Sequence, residues 1–275
     1  MNVRPSVLCP VDYSPASAAA LGCAAALADQ FVTRLIVMSV RNGLAADGAT
    51  DWAAFRQAEE SALATFVRAT FGPNSAIEAL GEYEMAVGTA ATEIARIARE
   101  RSCDLIVMAQ PCPDESSRNQ SAATLEALLA GTAIPVLLTP PYGSARNRVD
   151  DFRQIVRRVV VAVDPTMDGR HQRDVAIALA EALGVDLASD AVPTADATRA
   201  ARTADGSDTD ATDLMVVSLS GGRDQALHSW TTIRSFTAPA LILVLPPSSS
   251  RSDGIHAAIR AMAIASSVSG HRRTA

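Results

Sequence analysis

Two short segments carry the residues best suited to binding chemistry. Asp12 ends an apolar run that begins at Val7, and a later segment, residues 218–223, reads SLSGGR. Glycines, hydroxyls and an arginine at the end of a predicted strand are the groups from which anion-binding loops are built. The candidate anion loop consists of Ser218, Ser220, Gly221, Gly222 and Arg223. A plain glycine-rich turn is the alternative for this loop.

No catalytic constellation emerges from the remaining residues. The sequence has no G-x-S-x-G elbow, no HExxH pair and no EF-hand spacing. All 24 basic residues are arginine, which excludes a P-loop lysine and a Schiff-base lysine. The four histidines are scattered through the second half of the chain: His171, His228, His256 and His271. We therefore predict no enzymatic activity.

The cysteines give no sign of a metal site. Cys9, Cys23, Cys103 and Cys112 include no close CxxC pair and have no neighbouring histidine. Cys9 and Cys23 fall on predicted strand and helix faces, where a buried thiol is the usual outcome. Cys112 falls in a predicted loop and is the one candidate for a reactive thiol.

Composition limits the class of protein. The chain has 275 residues, of which 48% are apolar and 20% charged, and this is typical of a globular protein with room for two domains. The net charge of −6 disfavours nucleic acid as a partner, because phosphate binding needs a concentrated basic face. No apolar run reaches 18 residues, so we predict no membrane span and no signal peptide. We expect a cytoplasmic protein.

The elements that would position Asp12 and the anion loop occur twice. Residues 7–12 (VLCPVD) return as residues 159–164 (VVVAVD), and residues 135–141 resemble residues 239–247. Predicted strands alternate with helices, a pattern that indicates parallel β-α-β units. In such sheets ligands bind beyond the carboxyl ends of the strands, which here are Asp12, Val40 and the loop after Met108.

The individual elements follow from apolar runs, caps and periodicity. Predicted strands cover residues 7–11, 35–40, 77–87 and 104–108, and a fifth opens at Pro135. Predicted helices begin at Ser14–Pro15, cover residues 51–71, begin after Thr89 and cover residues 122–129.

The second copy is predicted to be shorter than the first. Asp12 and Asp104 are 92 residues apart, whereas the matching Asp164 and Asp213 are 49 apart. The difference corresponds to one long helix and about one strand. We predict two doubly wound α/β domains in tandem, the second truncated. The bounds are 1–141, a linker 142–156, a degenerate domain 157–247 and a helical or mobile tail 248–275.

The order of these motifs resembles the universal stress protein family in its tandem form. The segments that carry the resemblance are Pro10–Asp12, Ser14–Ser17, Gly88–Thr89 with Glu93–Ile94, Asp104–Met108 and Pro135–Leu138. The resemblance implies an adenine nucleotide alpha hydrolase-like fold. It covers residues 5–141 well and residues 157–247 weakly.

ATP-binding members of this family carry a G-x2-G-x9-G-[ST] signature after the fourth strand. Its glycines let the backbone approach the phosphates, and free N–H groups bind them. The corresponding positions here are Ala109, Cys112, Ala122 and Ala123. Pro111 and Pro113 also remove two backbone donors. The resemblance therefore implies that the first half has lost its triphosphate site, and we predict no bound ATP.

The resemblance leaves room for a smaller ligand, because the family counterpart of Asp12 faces the adenosine part of the nucleotide. The candidate nucleotide pocket consists of Val11, Asp12, Val40 and Met108. The alternative is that Asp12 only caps the turn that follows it, as Asp does readily.

Three functions remain in order of preference. The first is a non-catalytic stress-response protein that acts by protein association. In the family, subunits pair through their last strands, so the resemblance implies an internal pseudo-dimer through residues 136–139 and 240–245, with further homo-oligomers open. The second is a nucleotide or nucleoside sensor that uses Asp12 or the candidate anion loop.

The third is an adenylating enzyme. Residues 220–225 are similar to the SGGxDS loop of PP-loop ATPases, but Gln225 replaces the last serine. That loop normally follows the first strand of its domain, whereas here it follows a late one, and this ranks the enzyme last.

Overall fold

The computed structural model describes residues 5–31, 33–41, 52–72, 81–111, 118–140, 156–163, 170–188, 192–193, 212–218 and 241–245. The helices in these ranges are α1 (Pro15–Gln30), α2 (Trp52–Phe71), α3 (Ala90–Glu100), α4 (Arg118–Gly131) and α5 (Arg170–Leu183). The strands are β1 (Ser6–Val11), β2 (Arg34–Arg41), β3 (Glu82–Val87), β4 (Leu105–Ala109), β5 (Val136–Thr139), β6 (Val156–Val163), β7 (Asp186–Leu187), β8 (Val192–Pro193), β9 (Thr212–Ser218) and β10 (Leu241–Leu245).

All of these strands form one sheet. Its order is β3-β2-β1-β4-β5-β10-β9-β6-β7, and β8 also pairs with β6. Within the described residues every pairing is parallel except β5 with β10. The strand order reverses between β1 and β4, which is the point where doubly wound sheets bind ligands. The predicted α/β fold class is confirmed.

The two halves of the chain meet at an antiparallel seam between β5 and β10. Leu137 lies opposite Leu243, with Leu138 opposite Ile242 and Val136 opposite Val244. All six side chains are buried. Because the seam is antiparallel, the strands of the second half run in the opposite direction to those of the first half.

Helices cover both faces of the sheet, and each face has its own apolar core. Residues of α1, α2 and α5 pack on one face, against alternate strand residues such as Val7, Cys9 and Val11. Residues of α3 and α4 pack on the other face, against residues such as Leu8 and Ile106. A strand covered on both faces needs apolar residues at every position, which explains the continuous apolar run of β1.

Helix α1 illustrates how the local sequence sets this packing. Ser14 is its N-cap, and its side chain accepts a hydrogen bond from the backbone N–H of Ser17. Pro15 occupies the first helical position, where its missing N–H costs nothing. Ala20 and Ala24 are fully buried, and their small side chains let the helix lie close to the sheet. The predicted start of this helix is confirmed.

Several elements differ from the prediction. Helix α4 begins at Arg118, four residues before its predicted start. The prediction missed the first turn because its residues are polar and add nothing to the apolar periodicity on which the prediction rests. Strand β6 begins at Val156, the last residue of the predicted linker. Strands β7 and β8 have two residues each, too few for a sequence pattern to show. The rest of the linker (142–155) and the C-terminal tail (248–275) lie outside the described residues.

No helix among the described residues is long and apolar enough to cross a membrane.

Candidate functional site

Asp12 lies at the carboxyl edge of the first half of the sheet, immediately after β1. Its Oδ1 atom accepts hydrogen bonds from the backbone N–H of Ser14 at 3.0 Å and from the Ser14 hydroxyl at 2.6 Å. The Asp12 N–H in turn donates to the Ser17 hydroxyl at 3.4 Å, and that hydroxyl donates to the Ser14 carbonyl at 3.0 Å. This network fixes the strand-to-helix turn, as expected of an Asp that caps a turn.

The side chain of Asp12 is nevertheless exposed. A carboxylate offers about four acceptor positions, and both of these hydrogen bonds are accepted by Oδ1. The turn-capping role and a ligand-binding role are therefore compatible at this residue.

The four residues of the candidate nucleotide pocket do not share one face of the sheet. Val11 is buried in the core beneath α1 and α2, whereas Val40 and Met108 pack against the core beneath α3 and α4. Alternation along β1 puts the position of Asp12 on the face opposite Val11. The structure thus brings Asp12, Val40 and Met108 to one corner of the edge and separates Val11 from them.

A cluster that the sequence analysis missed lies on the Val11 face at the same edge. Arg41 forms an ion pair with Glu59 of α2, with 2.5 Å between Nε and Oε2. The Arg41 guanidinium also lies 5.1 Å from the centre of the Tyr13 ring, within range of a cation–π contact. Tyr13 meets Phe66 edge-on at 5.4 Å between ring centres.

The chemistry of this cluster limits what it offers a ligand. The hydrogen bond that Arg41 donates to the Glu59 carboxylate is the main cause of the raised pKa of Arg41. The guanidinium charge is therefore already balanced by a carboxylate, and the edge presents little net positive charge to a phosphate. Two residues of this cluster could have been found from the sequence, because Tyr13 is next to Asp12 and Arg41 is next to Val40. The sequence gives no sign of Glu59, because Glu59 lies on a separate helix.

The residue at the first glycine position of the phosphate signature, Ala109, is part of the sheet. Ala109 pairs with Thr139 as the last residue of β4. The next N–H, that of Gln110, donates to the Thr139 carbonyl at 2.8 Å. Ala122 is buried and Ala123 exposed within α4, so both lie inside the helix. Cys112, at the second glycine position, lies outside the described residues.

Sequence comparison identifies the family of this half of the chain. Residues 4–140 match the model of the universal stress protein family. The chain belongs to the universal stress protein family. The family match ends at residue 140, so the assignment of a second, degenerate domain to residues 157–247 stays a prediction.

Solved structures show the same fold over nearly the whole chain. A functionally unknown protein from Pseudomonas aeruginosa PAO1 aligns with a TM-score of 0.54 at 16% identity, covering 96% of this chain and 98% of that one. A universal stress protein from Archaeoglobus fulgidus DSM 4304 aligns with a TM-score of 0.54 at 17% identity, covering 89% and 97%. The shared architecture is the adenine nucleotide alpha hydrolase-like fold of universal stress proteins. No curated protein matches the chain in sequence.

The structure describes one residue of the candidate anion loop. Ser218 is the last residue of β9 and pairs with Leu245 of β10. Ser220, Gly221, Gly222 and Arg223 lie outside the described residues, and their anion-binding role stays a prediction.

The thiols of this universal stress protein that the structure describes are buried. Burial raises the pKa of Cys23 to about 12 and that of Cys103 to about 11, and it also raises the pKa of Cys9. Since the thiolate is the reactive form, these three side chains act as small apolar residues at neutral pH. Among the described residues no group of three His, Cys, Asp or Glu side chains is placed to hold a metal.

Proposed function

We propose that this protein is a non-catalytic stress-response protein of the cytoplasm that acts through association with other proteins and does not bind ATP in its first half. Family membership supports the stress-response role. The observation that supports the loss of ATP binding is the β4–β5 pairing, which continues through Ala109 and uses the Gln110 N–H as a donor to the Thr139 carbonyl.

A phosphate cradle needs N–H groups that point at the anion and a backbone that the anion can approach. At Ala109 a methyl group occupies a position where nucleotide-binding members of the family have glycine. The following donor, at Gln110, is already used by the sheet. The nearby arginine, Arg41, is paired with Glu59. These three features together disfavour a bound triphosphate.

The seam supports association within one chain. The last strands of the two halves, β5 and β10, pair with each other within one chain. The family resemblance implies that separate subunits pair through these same strands. We propose that the chain acts as an internal pseudo-dimer and meets protein partners through its remaining surface.

Calorimetry of the full chain with Mg-ATP tests the loss of the nucleotide site. We expect no heat of binding. A control variant, Asp12→Ala, removes the carboxylate at the same edge and is expected to behave identically. Saturable ATP binding that disappears in Asp12→Ala would overturn the proposal and establish the first half as a nucleotide site.

A second candidate function, a nucleoside sensor, is favoured by the exposed Asp12 carboxylate beside Val40 and Met108. A nucleoside lacks the triphosphate that the β4–β5 pairing disfavours, and its sugar hydroxyls are donors for a carboxylate. Thermal unfolding with adenosine, AMP and cyclic nucleotides distinguishes the two candidates, because a ligand of the folded state raises Tm with concentration. A rise that Asp12→Asn abolishes supports the sensor, and an unchanged Tm across the panel eliminates it.

A further inference from the structure

Helix α2 is attached to the rest of the first half by few buried residues. Of its 20 residues, Leu63 and Val67 are buried, whereas ten of the 16 residues of α1 are buried. These two side chains share one core with Leu35 and Val37 of β2. An element with few buried apolar contacts opens locally at a lower free energy than the whole fold unfolds. The packing of α2 therefore makes it the element of the first half best suited to local opening.

A second set of contacts holds the middle of this helix. It consists of Tyr13, Arg41, Glu59 and Phe66, which we call the clamp. Glu59 and Phe66 both lie on α2, where Glu59 pairs with Arg41 at the end of β2 and Phe66 meets the Tyr13 ring. The Arg41 guanidinium lies near the same ring, so the four residues act as one unit. The Glu59 side chain is 13% exposed, and breaking a shielded ion pair costs more than breaking an exposed one.

Tyr13 is held in an unfavourable backbone conformation. Its φ angle is +64°, in the left-handed region that a bulky side chain rarely adopts. Such a conformation persists only where the surrounding contacts enforce it. For Tyr13 these contacts include Phe66 on α2 and Arg41, which Glu59 on α2 holds in turn. Separation of α2 from the sheet would remove the first contact and free the second.

We propose that α2 is a releasable strap, which opens by local unfolding and is kept closed by the clamp. Release breaks the Arg41–Glu59 ion pair, uncovers the β2 residues of the core beneath the helix and lets Tyr13 relax. Because Tyr13 lies between Asp12 and Ser14 in the chain, the same event loosens the turn that presents Asp12. The strap thus couples the packing of one face of the sheet to the shape of its edge. This inference concerns the free protein and does not rest on the proposed function.

Native-state hydrogen exchange of the full chain measures the opening. After correction for intrinsic rates, we expect the α2 amides around Leu63 and Val67 to exchange faster than those of β1 by about 100-fold or more. The β1 amides need the core itself to unfold. If the α2 amides exchange as slowly as those of β1, the helix separates only in global unfolding, and the proposal is overturned.

Glu59→Gln tests the clamp. Glutamine keeps the size of the side chain and removes its charge, so we expect the α2 amides to exchange about tenfold faster and the β1 amides to stay unchanged. Glu82→Gln is the matched control, because Glu82 pairs with Arg34 at 3.0 Å between Nε and Oε1, outside the clamp. Equal acceleration of α2 in the two variants would overturn the role of the clamp.

A double variant tests whether the clamp acts as one unit. Tyr13→Leu keeps an apolar side chain and removes the ring that Arg41 and Phe66 contact. We expect Tyr13→Leu/Glu59→Gln to accelerate α2 exchange by less than the product of the two single effects, because both changes act through Arg41. Single effects that multiply in full would show that the two residues hold α2 independently, which contradicts the proposal.

The Ser14 amide reports whether the turn follows the helix. The Ser14 N–H donates to Asp12 Oδ1 at 3.0 Å, and we expect Glu59→Gln to increase its exchange rate together with that of α2, as measured by NMR. Faster exchange in α2 with an unchanged Ser14 amide would show that the strap opens without the turn and would refute the coupling.

Discussion

Ser14 is the residue that organises the turn between β1 and α1. Its hydroxyl accepts from the Ser17 N–H at 3.1 Å and donates to Asp12. We expect Ser14→Ala to lower the free energy of unfolding by about 1 kcal/mol, the usual cost of losing an N-cap side chain. Chemical denaturation with urea measures the change.

Helix α3 provides the control for this prediction. Thr89 is its N-cap, but the Thr89 side chain makes no capping hydrogen bond. Thr89→Ala should therefore cost less than Ser14→Ala. Equal losses in the two variants would show that the hydrogen bonds around Ser14 add nothing to the stability of the turn.

Asp104 makes the stability depend on pH. Burial raises its pKa, and the hydrogen bond that its Oδ2 accepts from the Ser6 N–H at 2.9 Å opposes the rise. Because the folded pKa exceeds the unfolded one, the contribution of Asp104 is fully favourable below the unfolded pKa, about 4. It is lost as the pH rises through the folded value.

Asp104→Asn isolates this effect. Asparagine keeps an oxygen acceptor for Ser6 and cannot ionise. We expect the variant to lose less stability than the wild type when the pH is raised from about 4 to neutrality, as measured by urea denaturation across that range. Parallel pH profiles for the two proteins would rule out ionisation of Asp104 as the cause.

At the residue scale, the sequence indicated which side chains lie near the edge but not which face they occupy. Val11, Val40 and Met108 lie at or next to the ends of strands whose central residues are apolar. A strand without polar–apolar alternation does not indicate which face each residue occupies.

At the element scale, predictability depended on length and apolar content. The starts of α1 and α3 were found because Ser14–Pro15 and Thr89 precede clear stripes. The first turn of α4 was missed because Arg118 to Ser121 are polar. Strands β7 and β8 exist through their pairing with β6, a tertiary interaction that a segment of two residues cannot encode locally.

The seam is the element-scale feature most open to test. Leu137 and Leu243 are paired in register, and residues paired across antiparallel strands have Cα atoms about 4.5–5.5 Å apart. This separation suits a disulfide. We expect Leu137→Cys/Leu243→Cys to form a bond within one chain under mild oxidation, seen as faster migration of the monomer on a non-reducing gel.

Val216 supplies a matched control because it pairs with Leu243 on the next strand. In Leu137→Cys/Val216→Cys the two cysteines would be separated by an intervening strand, roughly 10 Å apart, and should not react with each other. A crosslinked dimer from the first variant, in place of the shifted monomer, would mean that β5 and β10 pair between chains.

At the scale of the whole molecule, each apolar core continues across the seam. The core on the α1 face contains Leu137 of the first half and Leu241, Leu243 and Leu245 of the second half. Such continuity implies that the halves unfold together. We expect Leu243→Ala to lower the free energy of unfolding by about 2–5 kcal/mol and to keep a single transition.

Hydrogen exchange of amides in β1 and β9 measures this coupling, and protection should fall to the same extent in both strands. Ile177, which is 38% exposed on α5, gives a control, since Ile177→Ala should change stability by about 0.5 kcal/mol or less. Loss of protection in β9 alone would show that the halves are thermodynamically independent.

The antiparallel seam also gives the molecule two poles. Because strand direction reverses there, the strands of the first half end at the pole that carries Asp12, and those of the second half end at the opposite pole, near the start of α5. The carboxyl edges of the two halves therefore face in opposite directions, so one small molecule cannot contact both edges at once.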